Sequence, residues 1–255
     1  MLGNRSRLIV PAILGVALSI TGHAKADLVA YYALDNDTVQ GSTVSDLSGH
    51  GYNLTKNGTT PGQPGRYGQA FSFPGTSVGA NANLSIQGRL PQLGSSFTIS
   101  LWMNTADLDQ TQKYLFHNRG PSIGGEDQQN AVVFGYLPRT AELFATSNAM
   151  TGSDPRSLSA ITLADANAWN NVVYTYNGNN FRGYLNGNQV FDHIAAFSLT
   201  ATGQATFIGG VLDRDGYKGL LDEVSIWNNA LTAAQIRSLQ TTSLRAVPEP
   251  GDGRP

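Results

Sequence analysis

Asp222 is the residue whose neighbours in the chain most constrain its chemistry. Strict alternation along Leu220 to Ile226 puts it on one face with Leu220, Val224 and Ile226, so its carboxylate is expected to point into a core. A buried, unpaired carboxylate is costly and needs a cation, several hydrogen bonds or a proton. The alternative to a metal is that Asp222 caps turn amides or pairs with an arginine. A second set of oxygen donors falls in two predicted loops. Asp127, Gln129 and Asn130 precede the strand that starts at Ala131, and Asp213 and Asp215 stand in Asp213-Arg214-Asp215-Gly216. Such oxygens suit calcium, although Asp-x-Asp-Gly is also an ordinary turn and lacks the glutamate-terminated spacing of an EF-hand loop.

Other chemistry is thinly supplied. Gly75-Thr76-Ser77-Val78-Gly79 matches the nucleophile-elbow pattern, but Asn81 to Ile86 reads as loop and strand where an elbow requires a helix. Glycosidases need two carboxylates close together on the scaffold. The only glutamates are Glu126, Glu142, Glu223 and Glu249, no two of them close in sequence, and no Glu-x-Asp-x-x-Glu run is present. His50 and His117 are expected at turns and His193 is isolated, so no zinc-like cluster is expected. For stacking on a sugar face the candidates are tyrosines near predicted loops: Tyr52, Tyr67, Tyr136 and Tyr217, the last two being the preferred ligand-binding pair. Trp102, Trp169 and Trp227 sit inside strand patterns and read as core.

The elements that would position these groups are short strands. Phe97 to Met103 begins with period-two alternation, and Trp102 breaks its polar set, so its second face is expected to be partly covered as well. Leu28 to Leu34, Ala131 to Leu137, Val172 to Tyr176 and Leu220 to Trp227 are similarly rich in β-branched and aromatic residues. Asn177-Gly178 and Asn186-Gly187 supply positive φ angles for hairpin turns, so Trp169 to Val190 is predicted to be a three-strand meander. One short helix is expected, where Thr232-Ala233-Ala234-Gln235 forms a capping box ahead of Ile236 and Leu239.

The ends and the composition set the context. Arg5 and Arg7, an apolar run from Leu8 to Ile20 and Ala24-Lys25-Ala26 read as a secretory signal peptide cleaved after Ala26. The apolar run is too short to cross a hydrocarbon core, which takes about 20 apolar residues, so no membrane span is expected in the mature chain. Cleavage leaves 229 residues with 13 basic and 18 acidic side chains, a net charge of −5. That balance gives no basic patch for nucleic acid. There is no cysteine to cross-link an exported fold, so stability must come from the core, with or without a metal ion. The sequence divides into a signal peptide (1–26), one sandwich domain (27–240) and a Pro/Gly-rich tail (241–255). The tail's Val247-Pro248-Glu249-Pro250 resembles the opening of the PEP-CTERM sorting signal of Gram-negative bacteria, without the apolar helix and basic cluster that follow it there.

Five segments, in order, resemble the laminin-G-like jelly-roll domains of the concanavalin-A-like lectin and glucanase superfamily. They are Tyr32 to Leu34 with Asp46 to Gly51; Gly65 to Gly75; Phe97 to Met103; Trp169 to Gly178; and Gly219 to Leu231. The resemblance implies an all-β fold: a concanavalin-A-like two-sheet antiparallel jelly-roll sandwich with one short C-terminal helix and with first and last strands adjacent. It also implies a structural calcium ion held by Asp222 and by Asp35 at the end of the first strand. Pentraxin-like relatives further imply a second metal or ligand site at Asp127, Gln129, Asn130, Asp213 and Asp215. Val211 replaces one acid of that pattern, and Pro74 replaces another acid before a glycine. One sandwich hosts many functions. The function expected is non-catalytic recognition of an extracellular glycan or protein, in a secreted or surface protein of a Gram-negative bacterium. The rivals are a structural matrix protein and a hydrolase using Glu142 and Glu223.

Overall fold

A computed structural model describes residues 28–75, 82–86, 90, 96–105, 112–119, 132–138, 140, 142–147, 157–160, 167–194, 205–210 and 216–246. Within them the β-branched and aromatic runs pair into seventeen strands, numbered in chain order, that form two antiparallel sheets. The first sheet holds β1 (Leu28–Tyr32), β5 (Thr60–Pro64), β6 (Gln69–Pro74), β8 (Phe97–Asn104), β13 (Asn170–Tyr176), β14 (Asn180–Leu185), β15 (Asn188–Ile194) and β17 (Lys218–Trp227). Its order is β15-β14-β13-β8-β17-β6-β5, with β1 on the C-terminal half of β17, so the first and last strands are adjacent as expected. The second sheet holds β2 (Val39–Gln40), β3 (Thr43–Val44), β4 (Leu54–Asn57), β7 (Asn83–Ile86), β9 (Lys113–Arg119), β10 (Val132–Leu137), β11 (Glu142–Ser147), β12 (Ser157–Ala160) and β16 (Ala205–Ile208). Its order is β12-β11-β10-β9-β16-β7-β4-β3-β2.

The inner faces enclose a core built around aromatic rings. Phe134 stacks on Tyr174 with centroids 4.4 Å apart, and Tyr176 meets Phe181 at 4.7 Å. The buried Tyr174 hydroxyl donates to the Gly135 carbonyl at 2.9 Å, a bond that ties one sheet to the other. A second apolar cluster lies on the opposite face of the first sheet. There Tyr31, Val173, Tyr184 and Trp227 are covered by Leu231, Ile236 and Leu239 from the helix α1 (Ala233–Ser238) and its flanks. This covering is why β8 is buried on both faces over Phe97 to Met103. The helix starts as predicted: Gln235 N–H donates to the Thr232 hydroxyl and Thr232 N–H to the Gln235 side chain.

The meander of β13, β14 and β15 forms, but its two turns differ. Asn186 (φ 49°) and Gly187 (φ 78°) make the tight turn that Asn-Gly predicts. The earlier connection spans three residues, and only Gly178 (φ 94°) takes positive φ there; Asn177 instead accepts the N–H groups of Asn179 and Asn180 on its side chain. Among the tryptophans, Trp102 and Trp227 are buried as expected, whereas Trp169 is half-buried. His117 stands in β9 and His193 in β15, not at turns or alone, because the surrounding β-branched and aromatic residues extend both strands through them. No helix among the described residues is long and apolar enough to cross a membrane.

Candidate functional site

Asp222 is fully buried, but not on the face that strict alternation assigns to it. Opposite β8 the register slips between Asp222 and Ser225, and Glu223 takes φ 50°, so a β-bulge inserts one extra residue. Leu221, Val224 and Ile226 therefore fill the inner core, and Asp222 pairs with Trp102 on the outer face. One of its oxygens accepts the N–H groups of Arg66 and Tyr67, at 2.8 and 3.0 Å, and the other that of Glu223 at 2.8 Å. Burial pushes its carboxyl up to about 8, against the Tyr67 and Arg66 amides, which favour the charged form.

Asp35 grips the other end of the same turn. It accepts Gln69 N–H at 2.7 Å and pairs with Arg245 at 2.6 Å. Gly65 and Gly68 leave room for the two carboxylates, because a β-carbon at either position would run into Asp222 or Asp35 respectively. Each of the four carboxylate oxygens thus already has a donor, and a calcium ion between them would have to displace amides and a guanidinium. Among the described residues no group of three or more histidines, aspartates or glutamates could hold a metal ion. The pair is a clamp on residues 65–69 by its geometry, the amide-capping alternative foreseen for Asp222.

Glu223 completes this polar node. Its carboxylate accepts from the Tyr31 hydroxyl, the Ser243 hydroxyl and Leu244 N–H, and burial raises its pKa. Residues 241–245, expected to belong to the tail, are held here, with Arg245 bridging Asp35 and Asp37.

The two tyrosines preferred for ligand contact are interior residues. Tyr136 (3 % exposed) faces the core from β10, and Tyr217 (0 %) donates its hydroxyl to the carbonyls of Asn104 and Leu220. Proximity to a loop in sequence did not mean exposure, because an aromatic at a strand end is drawn under the sheet it borders. The residues Asp127, Gln129, Asn130, Asp213 and Asp215, the signal peptide and Thr76 to Val78 of the Gly-x-Ser-x-Gly match lie outside the described residues. Tyr67 is half-buried, and the exposed Arg66 guanidinium lies 4.6 Å from the Trp102 ring and 4.9 Å from the Tyr67 ring. His50 bonds Ser48 and stacks on Tyr52, the local bonding expected of it.

The arrangement that sequence reasoning missed is on the outer face of the second sheet. Facing pairs in the ladder carry one row from Val133 through His117, Phe207, Ser85 and Thr55 to Thr43. A second row, one step along the strands, runs Phe144, Gly135, Tyr114. None of the outward residues Val133, Phe144 and Phe207 belongs to the inner core cluster. A bulge at Leu115 brings the rows together, since Phe134 faces Phe116 while Gly135 faces Tyr114. Tyr114 then meets Phe144 edge-on at 6.2 Å and His117 at 5.7 Å, and His117 lies 6.4 Å from Phe207. Phe144 covers Gly135, where a β-carbon would strike its ring. Phe144 and Phe207 are almost fully buried; Tyr114 and His117 are half-buried, and Gln112 donates to the Tyr114 hydroxyl at 2.9 Å. The result is a row of four rings across β11, β9 and β16, with hydroxyl and amide side chains beyond it on β7, β4 and β3. The signal for it was Tyr114 and His117 on a β-rich run, legible only once Leu115 was known to be an extra residue.

Two antiparallel sheets packed face to face, with inward aromatic cores, define a jelly-roll sandwich. The chain belongs to the concanavalin A-like lectin/glucanases superfamily, whose laminin-G model matches residues 77–237. No curated protein matches it in sequence. It is similar in structure to domain 4 of AbnA, an extracellular GH43 arabinanase from Geobacillus stearothermophilus solved in complex with arabinotriose (TM-score 0.57, 20% identity, 84% of this chain and 98% of that one). It is also similar to the binding domain of Paraclostridial Mosquitocidal Protein 1 (TM-score 0.63, 17% identity, 85% of this chain and 52% of that one). A third likeness is to Trypanosoma rangeli sialidase in complex with sialic acid (TM-score 0.59, 16% identity, 84% of this chain and 33% of that one). The chain thus spans about half and one third of those last two proteins. At such identities the likeness is one of fold.

Proposed function

We propose that this protein is a non-catalytic glycan-binding module acting outside the cell, with its sugar seated on the outer face of the second sheet. The observation that carries the reading is the row Phe144, Tyr114, His117 and Phe207, flanked by hydroxyl and amide side chains. Rings offer a flat apolar surface to the C–H face of a sugar, and neighbouring polar groups fix its hydroxyls. Similarity in fold to a domain solved with arabinotriose supports the choice of a carbohydrate. The predicted signal peptide supports an exterior location. Glu142 and Glu223, the pair a hydrolase would use, stand in different sheets, and Glu223 is buried among Tyr31, Ser243 and Leu244.

Affinity electrophoresis through gels containing soluble arabinan, laminarin or dextran tests the proposal. Wild-type protein should be retarded by at least one of these glycans. Tyr114→Ala should weaken that retention about tenfold, the consequence of losing roughly 1.4 kcal/mol of stacking and contact. Unretarded wild-type protein across a wider glycan array would favour a structural role instead. A Tyr114→Ala variant with wild-type retention would overturn the site.

A further inference from the structure

The outer face of the second sheet continues past the aromatic row into an amide ladder. Asn57 and Asn83 face one another across β4 and β7, two residues along from the facing pair Thr55 and Ser85. The Asn57 amide donates to the Asn83 carbonyl oxygen at 3.1 Å and lies 3.4 Å from the Ser85 hydroxyl. Asn83 is only 1 % exposed, yet its side-chain nitrogen has no hydrogen-bond partner. Buried donors are paired in the great majority of cases, so an orphan amide on a face already suited to a ligand calls for an acceptor.

Position along the strands identifies where that acceptor would come from. Gly209 N–H donates to the Leu115 carbonyl, which extends the ladder between β16 and β9 towards Tyr114. Asn83 stands on the next strand at that same end, so Phe144, Tyr114, Asn83 and Asn57 follow one another across the sheet. With strands about 4.8 Å apart, the span from β11 to β4 is about 24 Å, room for several linked sugar units. Neither this row nor the one beside it contains a lysine, arginine, aspartate or glutamate.

We propose that Asn83 is a ligand-binding residue whose amide donates to a hydroxyl of a neutral sugar unit, next to the unit carried by Tyr114. The face then takes an internal stretch of an uncharged linear polysaccharide. This rests on the glycan-binding reading above. The Asn57 amide holds the Asn83 oxygen, which leaves the nitrogen as the group offered to the sugar.

Calorimetric titration with arabino- and cello-oligosaccharides tests it, comparing a disaccharide with a hexasaccharide of each series. Wild-type protein should bind one hexasaccharide at least about tenfold more tightly than its disaccharide. Asn83→Ala should remove most of that gain and leave disaccharide binding unchanged, whereas Tyr114→Ala should weaken both. Asn83→Asp keeps an acceptor for Asn57 and loses only the donor, so it should behave like Asn83→Ala even if the alanine variant folds poorly. Polygalacturonate, a charged chain, should not compete. Asn83 variants with wild-type hexasaccharide affinity, or competition by polygalacturonate, would overturn the inference and leave the glycan-binding reading standing. Wild-type protein that ignores every oligosaccharide would overturn both.

Discussion

Replacing Asp222 by alanine removes the acceptor for three backbone N–H groups, those of Arg66, Tyr67 and Glu223. The Glu223 amide lies in a buried bulge and would be left unpaired, at a cost of about 1–3 kcal/mol. The Arg66 and Tyr67 amides belong to a more open turn and can turn to water, so their loss costs about 1 kcal/mol each. The total, roughly 3–5 kcal/mol, is a large share of the 5–15 kcal/mol typical of a domain. Asp222→Asn keeps one oxygen for the turn but sets an NH2 group against the Glu223 N–H, and should lose about 1–3 kcal/mol while remaining folded.

Urea denaturation read by tryptophan fluorescence measures these losses, and a pH series adds a signed test. Burial raises the Asp222 carboxyl from 3.8 in the unfolded reference to about 8, so the folded state holds a proton that the unfolded chain has released. The stability this contributes is complete below about pH 4 and disappears as pH rises towards 8. Over that window wild-type stability should therefore fall relative to Asp222→Asn. The clamp geometry also predicts a melting temperature indifferent to chelator. A loss below 1 kcal/mol in Asp222→Ala, or a melting temperature that rises with calcium in wild type and not in Asp222→Asn, would refute this account; the second result would restore the metal ion between Asp35 and Asp222.

Asn186→Pro should cost about 3 kcal/mol or more, because proline cannot reach φ 49° and the Asn186 N–H bond to the Asn171 carbonyl disappears; calorimetric melting checks it, and a wild-type transition would mean the turn is dispensable. Gly135→Ala forces a methyl group against the Phe144 ring and the Lys113 carbonyl, for an overpacking cost of about 1–3 kcal/mol; by displacing Phe144 it should also weaken glycan retention. Thr232→Ala removes one half of the capping box and should cost about 1 kcal/mol in urea, with the β-sheet circular dichroism unchanged.

Much of the fold was legible because its signals are local. The capping box at Thr232, the Asn186-Gly187 turn and the double-sided burial of β8, flagged by Trp102, all follow from residues within a few positions of one another. The site was less legible because exposure is decided by partners distant in sequence. Tyr136 and Tyr217 looked loop-near and are interior, whereas Tyr114 and Phe144, separated by thirty residues, meet through the pairing of β9, β10 and β11. Asp222 was recognised as buried, and its partners Arg66, Tyr67 and Glu223 satisfy the need for hydrogen bonds that its burial implied. What the sequence did not disclose was its face.

Both errors of face share a cause. A side chain's face in a strand is a parity, and one extra residue inverts it for everything beyond. The bulge at Glu223 keeps Val224 and Ile226 in the core while turning Asp222 outward onto the 65–69 turn; without it, a carboxylate would displace an apolar side chain from the interior. The bulge at Leu115 lets Leu115 and Phe116 both face the core, and in doing so sets Tyr114 and His117 side by side on the opposite face. Neither bulge contains a glycine or proline to announce it, and Glu223 bears the positive φ itself, its side chain held by Tyr31 and Ser243. The same device therefore serves two ends in this sandwich: at β17 it places a buried acid where backbone amides can satisfy it, and at β9 it converts an alternating strand into a contiguous aromatic surface.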